Sequence, residues 1–487
     1  MGEEQKNLVY LSDKIGSEYQ SWNKDALVII KAPTGCGKSH FILNELLNYA
    51  MQQGRRILYL VNRTILKDQL IKKCNEQVAE LCIRYGQIIK IWDYIRICTY
   101  QEIEQKLKCG NADPLNANIQ DEKGNPIESY YYVVYDECHY FYADADFNPG
   151  TEISYVYLTQ SFRHVVQIFM SATIENMEEK IKKDLTYTGG FKLHLKPFKK
   201  YEMEIDYDYV DLHYIADNKE ILELIKTEKN EKWLIFTDNI DKGNELAKDI
   251  RNIHEKYAGD NVVFIDARYK TDESGSDSVR ELVDNRLIEK PVIITTSVLD
   301  NGVSFEDEGL RNIIIMADSK EEFIQMLGRK RPDGQRVQVY VCKRDKAYFS
   351  RKLHYIDTVK SCYDRYAGEI KSMWQSRNVL EQQNVLNTMF SNEATYRLLK
   401  RFCYFAVGYF AELKIPKLQC FYRNMIKEFE TDENAFLKVQ AHWLGYSEER
   451  IQEFIEGETG QKLEDNRIKL EEELKKLLGE NETLVLL

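Results

Sequence analysis

The sequence lacks several features that would place it in familiar classes of protein. Only 8 of its 487 residues are proline and no low-complexity tract is present, which excludes a largely disordered chain. No apolar run approaches the roughly 18 residues that a membrane-spanning helix needs. The amino terminus has neither the basic start nor the apolar stretch of a secretory signal. We therefore expect a cytoplasmic protein with no membrane partner.

The sequence also lacks the cysteine spacings of a metal or redox site and an excess of positive charge. The 10 cysteines form no C-x-x-C pair and no Cys/His cluster at zinc spacing, so reduced thiols are expected. The net charge of -12 argues against a small module that binds nucleic acid by bulk charge, although a locally basic groove is compatible with it. The length exceeds what one hydrophobic core accommodates, so two or three domains are expected.

A glycine-rich loop stands between an apolar run at 26–30 and a segment with helical apolar spacing after residue 39. The loop has the pattern A-x4-G-K-S and consists of Ala32, Pro33, Thr34, Gly35, Cys36, Gly37, Lys38 and Ser39. In the order strand, loop, helix, backbone amides face an anion, Lys38 reaches the β- and γ-phosphates, and Ser39 ligates magnesium. The loop therefore predicts a site for ATP and Mg²⁺. A chance match in a surface turn is the alternative, and the preceding strand argues against it.

An acidic pair follows a second apolar run, at 131–135. A parallel strand beside the first would bring Asp136 next to the phosphate loop, because open α/β sheets bind ligands at the carboxyl ends of their strands. We expect Asp136 to hold the magnesium ion, and Glu137 to orient and deprotonate the attacking water. An exposed acidic turn is the alternative.

The A-x4-G-K-S loop followed by D-E-C-H at 136–139 resembles the DExH group of superfamily 2 helicases. Three further segments resemble motifs of that family: L-V-N-R at 60–63, T-Y-Q at 99–101 and S-A-T at 171–173. The family often has proline where Asn62 stands. The resemblance implies that the sugar-phosphate backbone of a nucleic acid is contacted by Arg63, Thr99 and Gln101. It also implies that the ATP site is coupled to that groove through Ser171, Thr173 and His139.

The α/β alternation restarts after a basic stretch at 196–200, which predicts a linker and a second lobe. T-x5-G from Thr296 to Gly302 resembles the family motif that contacts both nucleic acid and nucleotide, with Asp300 just before the glycine. By this resemblance, Thr296 contacts nucleic acid, whereas Asp300 and Gly302 face the nucleotide.

Q-x-x-G-R from Gln325 to Arg329 resembles the arginine-finger motif of the family. A guanidinium brought from the second lobe stabilises charge on the transferring phosphoryl group. The family pattern has a second arginine three residues later, but Pro332 stands there and Arg331 lies one residue early. Either Arg331 takes the finger role, or Arg329 carries it alone. An arginine-rich turn that ties down acidic neighbours on the surface is the alternative.

The apolar spacing in the last third of the chain predicts helices. This part of the sequence consists of a basic segment followed by an acidic one. Residues 351–427 hold 13 Lys and Arg against 6 Asp and Glu, together with many aromatics, whereas residues 428–487 hold 7 against 16. Basic residues interleaved with aromatics suit a single nucleic-acid strand, but the same rings could form the core of a helical domain. The final amphipathic helix could dock internally or on a protein partner.

These features predict an α/β protein with two tandem RecA-like parallel-sheet lobes followed by an α-helical C-terminal domain. The predicted boundaries are 1–197 for the first lobe, 198–345 for the second and 346–487 for the helical domain. We expect an ATP-dependent helicase or translocase that acts on DNA or RNA. The alternative is an ATP-gated clamp or signalling subunit that binds nucleic acid but unwinds nothing.

Overall fold

The computed structural model describes residues 10–85, 90–116, 119–120, 126–127, 129–146, 148, 150–185, 187–188, 194–204, 206–227, 231–266, 290–296, 305–330, 332–375, 409–457 and 467–468. Within these residues, no helix is both long and apolar enough to cross a membrane.

The first lobe is built on a six-stranded parallel sheet. Its strands and two small antiparallel pairs are β1 (Leu27–Lys31), β2 (Ile57–Val61), β3 (Ile95–Thr99), β4 (Ile119–Gln120), β5 (Pro126–Ile127), β6 (Tyr132–Asp136), β7 (Val166–Ser171), β8 (Tyr187–Thr188), β9 (His194–Leu195) and β10 (Phe198–Glu202). The sheet order is β10-β1-β7-β6-β2-β3, while β4 pairs with β5 and β8 with β9. Except for Lys31 at the end of β1, the residues of the central strands are buried and mostly apolar, because helices cover both faces of the sheet.

A second six-stranded parallel sheet forms the second lobe. Its strands are β11 (Val210–Ile215), β12 (Lys232–Phe236), β13 (Val262–Ile265), β14 (Val292–Thr295), β15 (Leu310–Ile315) and β16 (Val337–Cys342). They lie in the order β11-β16-β15-β12-β14-β13, and every pair is parallel. The predicted fold of two parallel-sheet lobes with C-terminal helices is confirmed.

Helices cover both sheets and make up most of the described residues after β16. The helices of the first lobe are α1 (Leu11–Ile15), α2 (Lys38–His40), a π-helical turn (Phe41–Leu46) leading to α3 (Leu47–Gln52), α4 (Thr64–Tyr85), α5 (Tyr100–Lys108), α6 (Tyr140–Ala143), α7 (Gly150–Ser161) and α8 (Glu175–Leu185). Those that follow are α9 (Asn218–Thr227), α10 (Ile240–Arg251), α11 (Lys320–Leu327), α12 (Lys346–Gln375), α13 (Tyr409–Glu428) and α14 (Ala435–Trp443).

Two features of the first sheet differ from the sequence-based expectation. The strand that ends in Asp136 does not lie beside β1, because β7 is inserted between β1 and β6. The sheet also runs on to β10, which pairs with β1 five residues past the predicted end of the lobe at residue 197. Only one residue of β10, Tyr201, is buried, so this edge strand has no apolar run and resembles a linker in the sequence.

Two of the described helices after β16 pack into the second lobe. Leu437 and Ala441 of α14 belong to the same buried core as strands β11, β12, β15 and β16. The following helix, residues 448–457, adds Ile451 and Ile455 to that core. Helices α12 and α13 pack on each other around Phe349, Ile415 and Met425. The aromatic run at 401–410 falls almost entirely outside the described residues.

Candidate nucleotide site

The phosphate loop joins β1 to α2 and has the backbone that an anion cradle needs. Gly35 and Gly37 have φ angles of +93° and +83°, a backbone conformation that residues other than glycine rarely adopt. The backbone N–H of Leu11, at the start of α1, donates to the carbonyl of Cys36 at 2.9 Å and braces the loop. Lys38 opens α2, so its backbone amide lies at a helix N-terminus, where anions bind favourably.

The side chain of Lys38 points back across the loop. Its ammonium donates to the carbonyl oxygen of Ala32 at 2.8 Å and lies 3.4 Å from Glu137 Oε1. The lysine is only 8% exposed, so its charge is held inside the site. A phosphate bound in the loop would replace the carboxylate as the main partner of this ammonium.

Asp136, at the end of β6, is held by three hydrogen bonds. The Tyr59 hydroxyl donates to its Oδ2 at 2.9 Å and the backbone N–H of Glu137 to its Oδ1 at 3.0 Å, while Tyr100 donates to its carbonyl oxygen at 2.9 Å. Burial, together with the neighbouring carboxylate, raises the pKa of Asp136 to about 6. A bound cation would favour its ionised form. The phenol of Tyr59 therefore fixes the orientation of an otherwise costly buried carboxylate.

Glu137 has a left-handed backbone, with φ of +49°, which is uncommon for a residue that carries a side chain. Burial alone would raise the pKa of its carboxyl group. The ammonium of Lys38 and the ring of His139 outweigh burial, so the pKa falls below its usual value. Glu137 is therefore ionised at neutral pH and can accept a hydrogen bond from water.

His139 links the acidic pair to β7. Its Nδ1 lies 3.0 Å from Ser171 Oγ and 3.2 Å from Glu137 Oε2. The backbone N–H of Thr173 in turn donates to Ser171 Oγ at 3.0 Å. The three residues predicted to couple the ATP site to the groove thus form a continuous polar chain that begins at Glu137. The insertion of β7 next to β6 makes this contact possible.

Arg329 enters the same cleft from the second lobe. Its Nη2 lies 3.5 Å from Thr34 Oγ1, and the side chain is held by Gln325, through the backbone oxygen at 2.9 Å and Oε1 at 3.2 Å. The cleft has a volume of about 190 Å³ and is lined by the phosphate loop, both carboxylates, Arg329 and residues of α4. The α4 residues that line it are Leu66, Gln69 and Lys73.

The neighbouring Lys330 pairs with acidic residues. Its ammonium donates to the carbonyl of Asp307 at 2.8 Å and to the carboxylate of Asp333 at 2.6 Å, and the side chain is 1% exposed. Three further residues that the sequence analysis assigned to the site lie outside the described residues: Arg331, Asp300 and Gly302. Their predicted roles remain predictions.

The residues predicted to contact nucleic acid lie apart from this cleft. Thr99 caps α5, because its hydroxyl accepts the backbone N–H of Glu102 at 3.1 Å. Gln101 donates to the carbonyl of Asn62 at 2.7 Å, and Arg63 Nη1 lies 3.5 Å from a carboxylate oxygen of Asp144. Thr296 follows β14 and donates its backbone N–H to Ile265. Among the described residues, none of these four lines the phosphate cleft.

Sequence reasoning missed several residues of the site, among them Tyr59 and Lys73. Tyr59 contacts Asp136, and Lys73 lines the cleft from the same face of α4 as Gln69, four residues earlier. The signal for Tyr59 was a phenol in a fully buried strand, since a buried hydroxyl needs a partner. Nothing in the local pattern distinguishes Lys73 from an exposed lysine. Within the described part of the chain, no cluster of three or more His, Cys, Asp or Glu side chains could hold a metal ion alone.

Two parallel-sheet lobes with a phosphate loop, an acidic pair and an arginine from the opposite lobe resemble the arrangement found in the class of P-loop nucleoside triphosphatases. Consistent with this class, residues 4–176 match the family model described as type III restriction enzyme, res subunit. The match covers most of the first lobe and none of the second. No curated protein matches the sequence.

Several solved structures resemble the chain at low identity. Mss116p bound to ssRNA and AMP-PNP is 15% identical over 74% of this chain and 80% of its own, with a TM-score of 0.48. Dbp5 of S. cerevisiae bound to RNA and ADP BeF3 is 14% identical over 66% and 80%, with a TM-score of 0.46. The Mycobacterium smegmatis helicase Lhr bound to ssDNA and AMP-PNP is 14% identical over 68% and 45%, with a TM-score of 0.47. At these identities and TM-scores, the solved structures do not indicate the function of this chain, which has to follow from the residues of its own cleft.

Proposed function

We propose that the protein hydrolyses ATP between its two lobes and uses the cycle to move along, or remodel, a nucleic acid. The observation that carries this proposal is the position of Arg329. A guanidinium of the second lobe lies in the cleft that holds Lys38 and Glu137 of the first. A nucleotide site completed by a residue from each lobe is active only when the lobes are closed. Hydrolysis would therefore be tied to relative motion of the lobes.

The chemical roles follow from the geometry and charge of the side chains. Glu137, ionised by its cationic neighbours, orients a water molecule and accepts its proton as the water oxygen bonds to the γ-phosphorus. The bond between that phosphorus and the oxygen bridging to the β-phosphate breaks, and ADP leaves. Lys38 and Arg329 stabilise the negative charge that spreads over the phosphoryl oxygens.

The residues present fit a magnesium ion bound with the nucleotide. Ser39 lines the cleft together with Asp136, and a hydroxyl plus one carboxylate is a common protein share of such a site, with phosphate oxygens and water completing it. The ion supplies neutralisation of charge on the β- and γ-phosphates. Tyr59 holds one carboxylate oxygen of Asp136 in place.

A nucleic-acid substrate is supported by the motifs rather than by the cleft. The order L-V-N-R, T-Y-Q, S-A-T resembles the strand-contacting and coupling motifs of superfamily 2, and D-E-C-H favours its DExH group. The polar chain from Glu137 through His139 to Ser171 gives the catalytic carboxylate a physical connection to β7. Mss116p, Dbp5 and Lhr were solved with ssRNA, RNA and ssDNA, respectively, and we propose a single strand as the substrate here. We also propose the C-terminal helical region, residues 346–487, as the place where a protein partner would dock.

ATP turnover measured with single-stranded DNA, duplex DNA and RNA as alternative stimulants tests the proposal. We expect slow turnover alone and faster turnover with a strand, because a strand held across both lobes favours closure. A strand-displacement assay on a partial duplex then separates a helicase from a clamp that hydrolyses ATP without unwinding. Turnover that no nucleic acid stimulates would contradict the proposed coupling.

A further inference from the structure

A side-chain amide joins three separate parts of the chain outside the nucleotide cleft. Asn176 is the second residue of α8, five positions after Ser171. Its Nδ2 donates to Glu321 Oε1 of the second lobe, and its Oδ1 accepts a hydrogen bond from Lys417 Nζ of α13 at 3.0 Å. Donor and acceptor of one half-buried amide are thus both used, one toward the second lobe and one toward the C-terminal helices. We call these three residues the amide bridge.

The amide bridge lies at one end of α11, and Arg329 lies just past the other. Glu321 is in the first turn of this helix, which spans eight residues, or about 12 Å. After the last turn, a Cβ added to Gly328 would lie 3.1 Å from Thr34 Oγ1 of the phosphate loop. The helix therefore contacts the first lobe at both ends. Two contacts at that separation fix the tilt of a rigid helix, whereas a single contact leaves it free to pivot.

The third member of the bridge is anchored to the first lobe by its neighbours. Lys414, one turn earlier on α13, donates to the carbonyl of Ala143 at 3.2 Å and lies over the ring of Tyr142, 5.4 Å from its centre. Leu413 packs against the core of the first lobe. Lys417 is thereby presented to Asn176 from a fixed position, so α13 contributes to the contact between the lobes.

An ion pair near the amide bridge also joins the two lobes, but it is a weaker contact than the bridge. Glu175 pairs with Lys31 of its own lobe at 2.9 Å and lies 4.0 Å from Lys320 of the second. Both inter-lobe partners are more than two-fifths exposed, and solvent-exposed pairs of this kind stabilise little. The amide bridge is the better candidate for setting the position of α11.

We propose that Asn176 is a positioning residue for Arg329, acting through Glu321 and helix α11, with Lys417 holding the amide in place. This inference rests on the proposed ATPase activity and adds to it a contact outside the family-like motifs. Small displacements of a group that acts in the transition state reduce catalysis strongly, even when the group itself is intact. Loss of the bridge should therefore lower turnover while leaving nucleotide binding nearly unchanged.

Single substitutions on both sides of the contact give the first test. We expect Asn176→Ala and Glu321→Ala each to lower kcat by about tenfold, with the nucleotide dissociation constant within about twofold of the wild-type value. Glu321→Gln keeps an oxygen acceptor for the amide and should retain most of the activity. Glu179→Ala, an exposed residue of the same helix α8, is the matched control and should behave as wild type. Unchanged kcat in both alanine variants would overturn the proposal.

The decisive measurement repeats Asn176→Ala in an Arg329→Ala background under single-turnover conditions. If Asn176 acts through Arg329, removing the amide should have no further effect once the guanidinium is gone. A further tenfold loss would mean an independent structural role and would refute the inference. Failure of the ATPase assignment looks different: the wild type would not turn over, or Arg329→Ala would match it. Thermal unfolding of each variant, expected within a few degrees of wild type, checks that the fold is intact.

Discussion

Replacing Arg329 by alanine removes the one described cationic side chain of the second lobe that lines the nucleotide cleft. The guanidinium is 3% exposed and already oriented by Gln325, so little reorganisation precedes its action. A unit charge that develops about 4 Å away, at an effective dielectric constant of about 20, is stabilised by roughly 4 kcal/mol. By the relation between barrier and rate, that energy is about a thousandfold in kcat. Arginine fingers of other enzymes contribute about 10³ to 10⁵.

The assay compares kcat with nucleotide affinity measured separately by equilibrium binding. We expect Arg329→Ala to lose about 10³-fold in kcat and to bind nucleotide within about threefold of wild type, because the finger acts mainly in the transition state. Arg329→Lys keeps the charge but not the planar fork and should fall between the two. Arg336→Ala removes an exposed arginine of the second lobe that lies outside the cleft and is the control. A kcat near wild type, or a loss seen only in affinity, would refute the assignment.

Four further predictions concern the same site. Glu137→Gln should bind ATP but lose about 10² to 10⁴ in turnover, the usual contribution of a general base; turnover equal to wild type would contradict its role. Tyr59→Phe removes the hydrogen bond to Asp136, so the gain in nucleotide affinity on adding Mg²⁺, measured by titration, should shrink by about tenfold; an undiminished gain would show that the phenol is only packing. Burial raises the pKa of the Cys36 thiol against the opposing effect of Lys38, so a maleimide should modify it more slowly than a free thiol, faster as pH rises, and not under saturating ATP; full activity after modification would exclude it from the site. Arg331→Ala should lower kcat at least roughly tenfold if it shares the finger role, and wild-type turnover would leave that role to Arg329 alone.

The parts of the site that could be predicted from sequence are those carried by contiguous residues. The phosphate loop needs glycine at two left-handed positions and a lysine at a helix start, and all three requirements are visible in eight residues. The acidic pair follows directly after an apolar run, so its place at a strand end could also be read. Gln325 and Arg329 stand four residues apart across the end of α11, about one helical turn, and their side chains interact in the structure.

The remaining features depend on neighbours that are distant in sequence. Strand order within a parallel sheet leaves no trace in local periodicity, so the insertion of β7 between β1 and β6 could not be seen. The amide bridge joins residues separated by 145 and 241 positions. Thr99 illustrates a different limit, because one hydroxyl suits either a backbone contact to a strand or a helix cap, and the structure uses it as a cap.

The burial of residues 437–455 in the second lobe bears on how this protein could be divided or could recombine. Leu437, Leu444, Ile451 and Ile455 lie against the second sheet, and each buried side chain of this size contributes roughly 1.5 to 3 kcal/mol. Together they approach the whole stability of a typical domain, about 5 to 15 kcal/mol. Cutting the chain after residue 345 would expose the apolar surface of the second sheet that these side chains cover. Helix α14 and the helix at 448–457 are therefore part of the second lobe, and any recombination that preserved a working second lobe would have to carry them with it.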